Sequence, residues 1–301
     1  MSRRKTGDKV DGWVILDKPV GLGSTPAVTK VRRLFGARKA GHGGTLDPLA
    51  SGVLPIALGE ATKTVPFVMD GRKEYRFTLC FGEARSTEDA EGAVTATSDL
   101  RPTDQAIRSA LPAFVGEIEQ TPPAFSALKI EGKRAYDLAR AGEAVALKPR
   151  RVLIDRLELL GRPDADHADF VVACGKGTYI RSLGRDLARA LGTVGYLSAL
   201  RRTAAGPFRE EAAISLSKLE ALGHIPALFG ALAPVATALD DIPALALTEA
   251  QADRLRQGQP VHLTRDAPPS GALLRAETGS KLVALVRSDG TCLKPVRVFN
   301  L

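Results

Sequence analysis

Three features of the 301-residue sequence predict a mixed α/β fold. In "EYRFTLCFG", Tyr75, Phe77, Leu79 and Phe81 fall on one face, the alternation of a half-buried strand. In "STPAVTKVRRLFG", Val28, Val31 and Phe35 recur at helical spacing. In "DFVVACGKGTYIRSLGRDLARALG", an apolar strand runs through a Gly-Lys-Gly turn into a helix packed by Ile180, Leu183, Leu187 and Leu191.

The remaining elements fit around these. Trp13 to Leu16 reads as a strand ending in a Lys-Pro turn. The helix that follows is capped by Ser24 or Thr25, takes Pro26 in its first turn and stops at Gly36, leaving Lys30, Arg32 and Arg33 on its wet face. "VLPIALGEATK" is a buried stretch, "EARSTEDAEGAV" an acidic polar loop, and residues 103–115 helical. The Pro-rich, then basic, segment at about 121–150 is an excursion from the sheet, with a short helical pattern around Arg134 to Arg140. Arg181, Arg185 and Arg189 are spaced by four and form a basic stripe. After residue 240 the chain becomes β-rich. "LTEAQADRLRQGQP" is one short helix ended by Gly258, and three short strands follow, with Asp289-Gly290 as a hairpin turn. Two domains are therefore expected, 1–240 and 241–301.

Composition narrows the function. The net charge is +8, and residues 1–40 hold ten Lys or Arg against three acids. Such clustering suits a polyanionic partner, most simply nucleic acid, although solubility alone accounts for it equally well. No apolar run is long enough to span a membrane, and no apolar stretch follows the basic N-terminus as in a secretory signal. Cys80, Cys174 and Cys292 are scattered, which predicts free thiols in a reducing cytoplasm and no zinc site.

"AGHGGTLDPLASGVLP" carries the clearest chemical signal. Gly43 and Gly44 permit close approach by a ligand, Pro48 stiffens the bend, and Asp47 is its one charged side chain. Asp47 there is a nucleophile, a base, a metal ligand or a cap of its own turn. Tyr75 is a core tyrosine or a platform for a base. Arg181, just after a helix start, holds phosphate, orients a carboxylate or is simply solvated. Lys18, Lys63 and Lys176 are phosphate contacts or solvated lysines. His42 bonds a nucleotide or steadies the turn.

In linear order these segments resemble one family. "GHGGTLDPLASGVLPIALGEATK", "KEYRF", "CGKGTYIRSLGRDL" and "YLSALRRTAAGPF" are similar to the TruB family of tRNA pseudouridine synthases, in its stand-alone bacterial form. "GWVILDKPVG" and "TPPAFSALKIEGKRAYDLAR" extend the likeness over roughly residues 10–215. Gly43 departs from the family pattern, which has threonine there.

The resemblance implies a pseudouridine synthase fold with a large, mostly antiparallel sheet flanked by helices and a PUA-like C-terminal domain. It implies isomerisation of uridine 55 in the tRNA T-loop, by base flipping, without cofactor or metal. Asp47 becomes the catalytic aspartate, which adds to the base, attacks C1′ or removes a sugar proton. Arg181 pairs with it, and Tyr75 stacks under the base and takes the C5 proton. Tyr179 and Leu200 line the pocket, and His42 contacts the flipped-out loop. Arg201, Arg202 and the basic helix meet phosphates, and the 121–150 segment closes over the T-arm. The expected partner is the tRNA T-arm alone, bound by a cytoplasmic monomer that needs no protein partner and no membrane. Three rivals share parts of this sequence: a non-catalytic RNA binder, a guide-RNA-dependent relative, and a metal-dependent nuclease using Glu88, Asp89 and Glu91.

Overall fold

A computed structural model describes residues 7–126, 128–130, 133–134, 147–223, 225–263 and 267–301. Strand Lys73–Phe81, the one predicted from Tyr75 onward, lies in the middle of a ten-stranded sheet. On one side it pairs antiparallel with Gly195–Ala205, and on the other with His167–Cys174. Beyond His167–Cys174 come Arg150–Gly161 and Gly116–Gln120. Beyond Gly195–Ala205 come Ser51–Leu58, Gly12–Lys18 and the short Ile214–Ser215. Among these neighbours only Ser51–Leu58 with Gly195–Ala205, and Gly12–Lys18 with Ile214–Ser215, run parallel. The protein is thus mixed α/β, with a large and mostly antiparallel sheet.

Among the described residues three apolar cores pack on this sheet, and two of them hold the helices expected from the sequence. In one, Phe77, Leu79 and Phe81 meet Ile180, Leu183 and Leu187 of helix Ile180–Ala190, the stripe read from the sequence. In the other, Val14, Leu16, Leu54 and Ile56 meet Ala27, Val31 and Phe35 at helix Ser24–Leu34. Tyr75 and Leu200 touch both cores. They sit, partly buried, at the seam between the two.

Two local expectations are corrected. Ser24 does not cap its helix; the N-cap is Gly23, with no side-chain cap. The Ser24 hydroxyl instead donates to the Leu46 carbonyl and accepts from the Leu46 N–H, both at 2.8 Å, clipping the helix to the Asp47 bend. The arginine stripe on helix Ile180–Ala190 is exposed only at Arg189. Arg181 is buried at 6% exposure and Arg185 is half-buried, because Glu88 and Asp89 of the 86–93 loop reach over to meet them. The helical pattern at Arg134–Arg140 lies outside the described residues, apart from Arg134 in a two-residue strand.

The C-terminal β-rich part is a five-stranded sheet with helix Glu249–Arg256, which starts in a Thr248/Gln251 capping box. Strands Lys281–Ser288 and Cys292–Val298 form the hairpin expected around Asp289-Gly290. This part packs Leu282, Leu285 and Phe299 against Trp13, Ile15 and Val235. Among the described residues, no helix is long and apolar enough to cross a membrane.

Candidate active site

Asp47 is placed by contacts on both sides of its bend. Leu46 is held by Ser24, and the Ala50 N–H donates to the Asp47 carbonyl at 3.1 Å. The Pro48 carbonyl accepts from the Gly21 N–H at 2.8 Å and from Lys18 Nζ at 3.3 Å. Lys18 is fully buried, and its ammonium also donates to the carbonyls of Pro19 and Leu22. Burial pushes Lys18 down to about 8, against the attraction of Asp47. The expected phosphate contact is therefore replaced by a strut under the bend, since carbonyls take all three donors.

Gly43 turns its N–H to the Pro55 carbonyl at 2.8 Å. A Cβ there would lie 2.5 Å from Val68 Cγ1, so Val68 fills the space that the family's threonine needs. Gly43→Thr should cost about 1–3 kcal/mol of stability by overpacking, and adding Val68→Ala should restore most of it; paired urea melts check both. His42 is half-buried, and its Nδ1 accepts from the Gly44 N–H at 3.3 Å. Burial and then the Arg202 guanidinium hold its imidazole below its ordinary range.

Across from the bend, Arg181 begins helix Ile180–Ala190. Its Nη2 lies 2.9 Å from Asp47 Oδ2. The guanidinium also donates to the Thr87 and Phe125 carbonyls, at 2.9 and 2.8 Å, with the Asp89 carboxylate 3.7 Å from Nε. Arg181 is thus buried and fixed while the Asp47 side chain stays 40% exposed to the cleft. The start of the helix has no side-chain cap of its own. Buried Gln120 serves instead: its amide donates to the Tyr179 carbonyl at 3.1 Å and accepts from the Tyr179 N–H at 2.8 Å.

Tyr75 and Leu200 come from the sheet. Tyr75 stands in register with Arg202, and Leu200 with Phe77. Burial pushes the Tyr75 phenol up, while the Arg202 guanidinium beside it pulls the other way. Together Asp47, Tyr75, Arg181, Tyr179, Leu200, Lys176 and Arg202 line one cleft of about 570 Å³. Lys176 is exposed and pairs with Asp70 at 3.0 Å, and the Arg150 guanidinium lies 5.7 Å from the centre of the Tyr179 ring. A second cleft, about 640 Å³ and lined by Arg76, Thr78 and Asp169, shares Leu200 but contains none of Asp47, Tyr75 or Arg181. Among the described residues, no three His, Cys, Asp or Glu side chains converge as a metal site.

The structure corrects three expected phosphate contacts besides Lys18. Arg202 is buried at 1% exposure, and its guanidinium donates to the Val53, Gly44 and Thr45 carbonyls, at 2.7, 3.0 and 3.4 Å. Arg201 pairs with Asp17 and Glu210, both at 2.9 Å. Lys63 pairs with Glu60 and donates to the Val298 carbonyl, stitching the C-terminal sheet to the turn Gly59–Lys63. In each case neighbouring carboxylates or carbonyls already hold the cation. The sequence places Glu88 and Asp89 only in the nuclease alternative, whereas here they face Arg185 and Arg181, and it gives no sign of Gln120.

A model described as TruB family pseudouridylate synthase (N terminal domain) matches residues 32–180. Models of the tRNA pseudouridylate synthase B C-terminal domain and of the pseudouridine synthase II TruB C-terminus match 181–240 and 243–299. A chain in the crystal structure of a Cbf5-Nop10-Gar1 complex is 28% identical with a TM-score of 0.72, covering 95% of this chain and 84% of its own. Fold and site define a pseudouridylate synthase, an enzyme of the isomerase class.

The likeness extends over the whole chain. The Bradyrhizobium diazoefficiens protein named tRNA pseudouridine synthase B is 58% identical, over 99% of this chain and 88% of its own. The Caulobacter vibrioides protein of the same name is 54% identical, over 100% of both. The chain belongs to the TruB family.

Proposed function

We propose that this chain isomerises uridine 55 in the T-loop of tRNA, with Asp47, Arg181 and Tyr75 as its catalytic residues. The observation that carries the reading is the 2.9 Å Asp47–Arg181 pair, set in one cleft with Tyr75 and Leu200. A cleft of this kind admits a single extruded nucleoside, so the target must leave its stack. The base lies against Tyr75 and Leu200, and the sugar faces Asp47.

In the exchange the N1–C1′ bond breaks, the detached ring turns, and the C5–C1′ bond forms. C5 loses its proton and N1 gains one, so atoms and charge balance with no redox partner. Asp47 initiates the exchange at the base, at C1′ or at the sugar proton beside it, and each route needs an ionised carboxylate. The buried, fully bonded Arg181 supplies a fixed opposite charge and a fixed direction. Tyr75 stacks on the ring and takes the C5 proton as phenolate, a form that Arg202 favours and burial opposes. The exposed Lys30, Arg32 and Arg33 meet phosphates of the T-arm. The enzyme works as a cytoplasmic monomer without a protein partner or guide RNA, and residues 241–301 are a PUA-like RNA-binding domain.

The test is to incubate the purified protein alone with unmodified tRNA and map pseudouridine by position. Conversion at 55 supports the reading; a requirement for added guide RNA or protein refutes the stand-alone form. Tyr75→Phe should slow single-turnover conversion by about 10²–10⁴-fold with RNA affinity nearly unchanged, because the ring stays and only the hydroxyl goes. An unchanged single-turnover rate would leave Tyr75 a stacking role alone.

A further inference from the structure

Glu88 is unlike any other described residue. It is the one non-glycine among them with left-handed backbone, at φ +63°. Such a conformation persists where its surroundings over-determine it, and it often marks a functional site. Here the surroundings are specific. Glu88 Oε1 accepts from Arg185 Nη1 at 2.5 Å, and Oε2 from the Ser182 hydroxyl at 3.3 Å. Its carbonyl accepts from the Leu197 N–H at 3.1 Å, and its own N–H donates to the Arg85 carbonyl at 3.0 Å. Arg185 is itself anchored to Asp186 and to the Thr121 carbonyl. Glu88 therefore ties the acidic loop to the helix that carries Arg181 and to the strand that carries Leu200.

The two residues flanking Glu88 are the ones that grip Arg181. The Thr87 carbonyl accepts from Nη1 at 2.9 Å, and the Asp89 carboxylate lies 3.7 Å from Nε. The Thr87 hydroxyl in turn bonds the Asp89 carboxylate. Extended or right-handed backbone at residue 88 would turn the Thr87 carbonyl and the Asp89 side chain away from a common target. We propose that Glu88 is a positioning residue for the reaction: locked by Arg185, it aims the Thr87 carbonyl and the Asp89 carboxylate at Arg181, and through Arg181 it directs the Asp47 carboxylate. The inference rests on Asp47 and Arg181 being the catalytic pair.

Single-turnover conversion at saturating RNA, RNA affinity and thermal midpoint are measured for wild type, Glu88→Ala and Glu88→Gln. Glu88→Ala should slow the single-turnover step about ten- to a hundred-fold and leave affinity within about twofold. Glu88→Gln keeps a carbonyl oxygen for Arg185 and should recover most of that loss. An unchanged single-turnover rate in Glu88→Ala, with only the midpoint lowered, overturns the proposal, as does a loss matched by equally weakened RNA binding. If Glu88→Ala does not fold, Arg185→Lys alters the other end of the pair and should show the same split between rate and affinity. Wild type run in parallel separates the two readings: an inactive wild type sinks the proposed function, whereas an active wild type with an equally active Glu88→Ala sinks only this inference.

Discussion

Asp47→Asn should abolish pseudouridine formation, with single-turnover rate falling by more than about 10⁴-fold, while RNA binds nearly as before. The amide has the size and shape of the carboxylate, so the bend held by Ser24 and Lys18 need not move. What changes is charge. Arg181 Nη2 would face an amide at the 2.9 Å contact instead of a carboxylate oxygen. The amide can neither add to the base, nor attack C1′, nor accept the sugar proton, so all three routes fail together. Binding survives because stacking on Tyr75 and Leu200 and the phosphate contacts lie elsewhere. The check is a pair of measurements on one preparation: tritium release from C5-labelled uridine, and filter binding of the same RNA. Near-normal turnover in the variant would remove Asp47 from the mechanism. Lost binding with a normal fold would instead make the carboxylate a docking group.

The sheet and its two packed helices were legible because their signals are periodic. Tyr75, Phe77, Leu79 and Phe81 alternate, and Ile180, Leu183 and Leu187 recur at helical spacing, so each face can be read without its partner. The family's motif order likewise pointed to Asp47, Tyr75 and Arg181 before any geometry was known. Which cations reach solvent was not legible. Lys18, Arg201 and Arg202 each look like solvated bases in sequence, yet each is also held by a group distant in the chain: Pro48 for Lys18, Asp17 for Arg201, and Val53 and Gly44 for Arg202. No local pattern encodes a partner 149 or 158 residues away, as for Arg202 with Val53 and Gly44. The same distance hid Gln120, which clamps Tyr179 from 59 residues away. Gly43 shows the reverse case. Its departure from the family pattern is visible at once, but the neighbour that a larger residue would meet is Val68, in a helix that follows the next strand.

Arg202→Met tests that distinction most sharply. If Arg202 were a phosphate contact, its loss would weaken RNA binding and lower the slope of log affinity against log salt by about one unit. In the structure the guanidinium lies under the Asp47 bend, with donors on the Gly44, Thr45 and Val53 carbonyls. Methionine fills a similar volume but leaves those carbonyls without donors in a buried setting, at a cost of about 1–3 kcal/mol for each group not rescued by water. The expected outcome is a stability loss of about 3 kcal/mol, read as a drop of roughly 6–12 °C in the thermal midpoint, and a slower single-turnover step because Gly44 and Thr45 lead directly to Asp47. The salt slope should stay where it was. The exposed Arg32 and Arg33 provide the contrast: Arg32→Ala with Arg33→Ala should reduce the slope by about two units and leave the midpoint almost unmoved. A reduced slope for Arg202→Met with an intact midpoint would mean that the guanidinium leaves its carbonyls to meet RNA, and the bend would then have to be held by Lys18 and Ser24 alone.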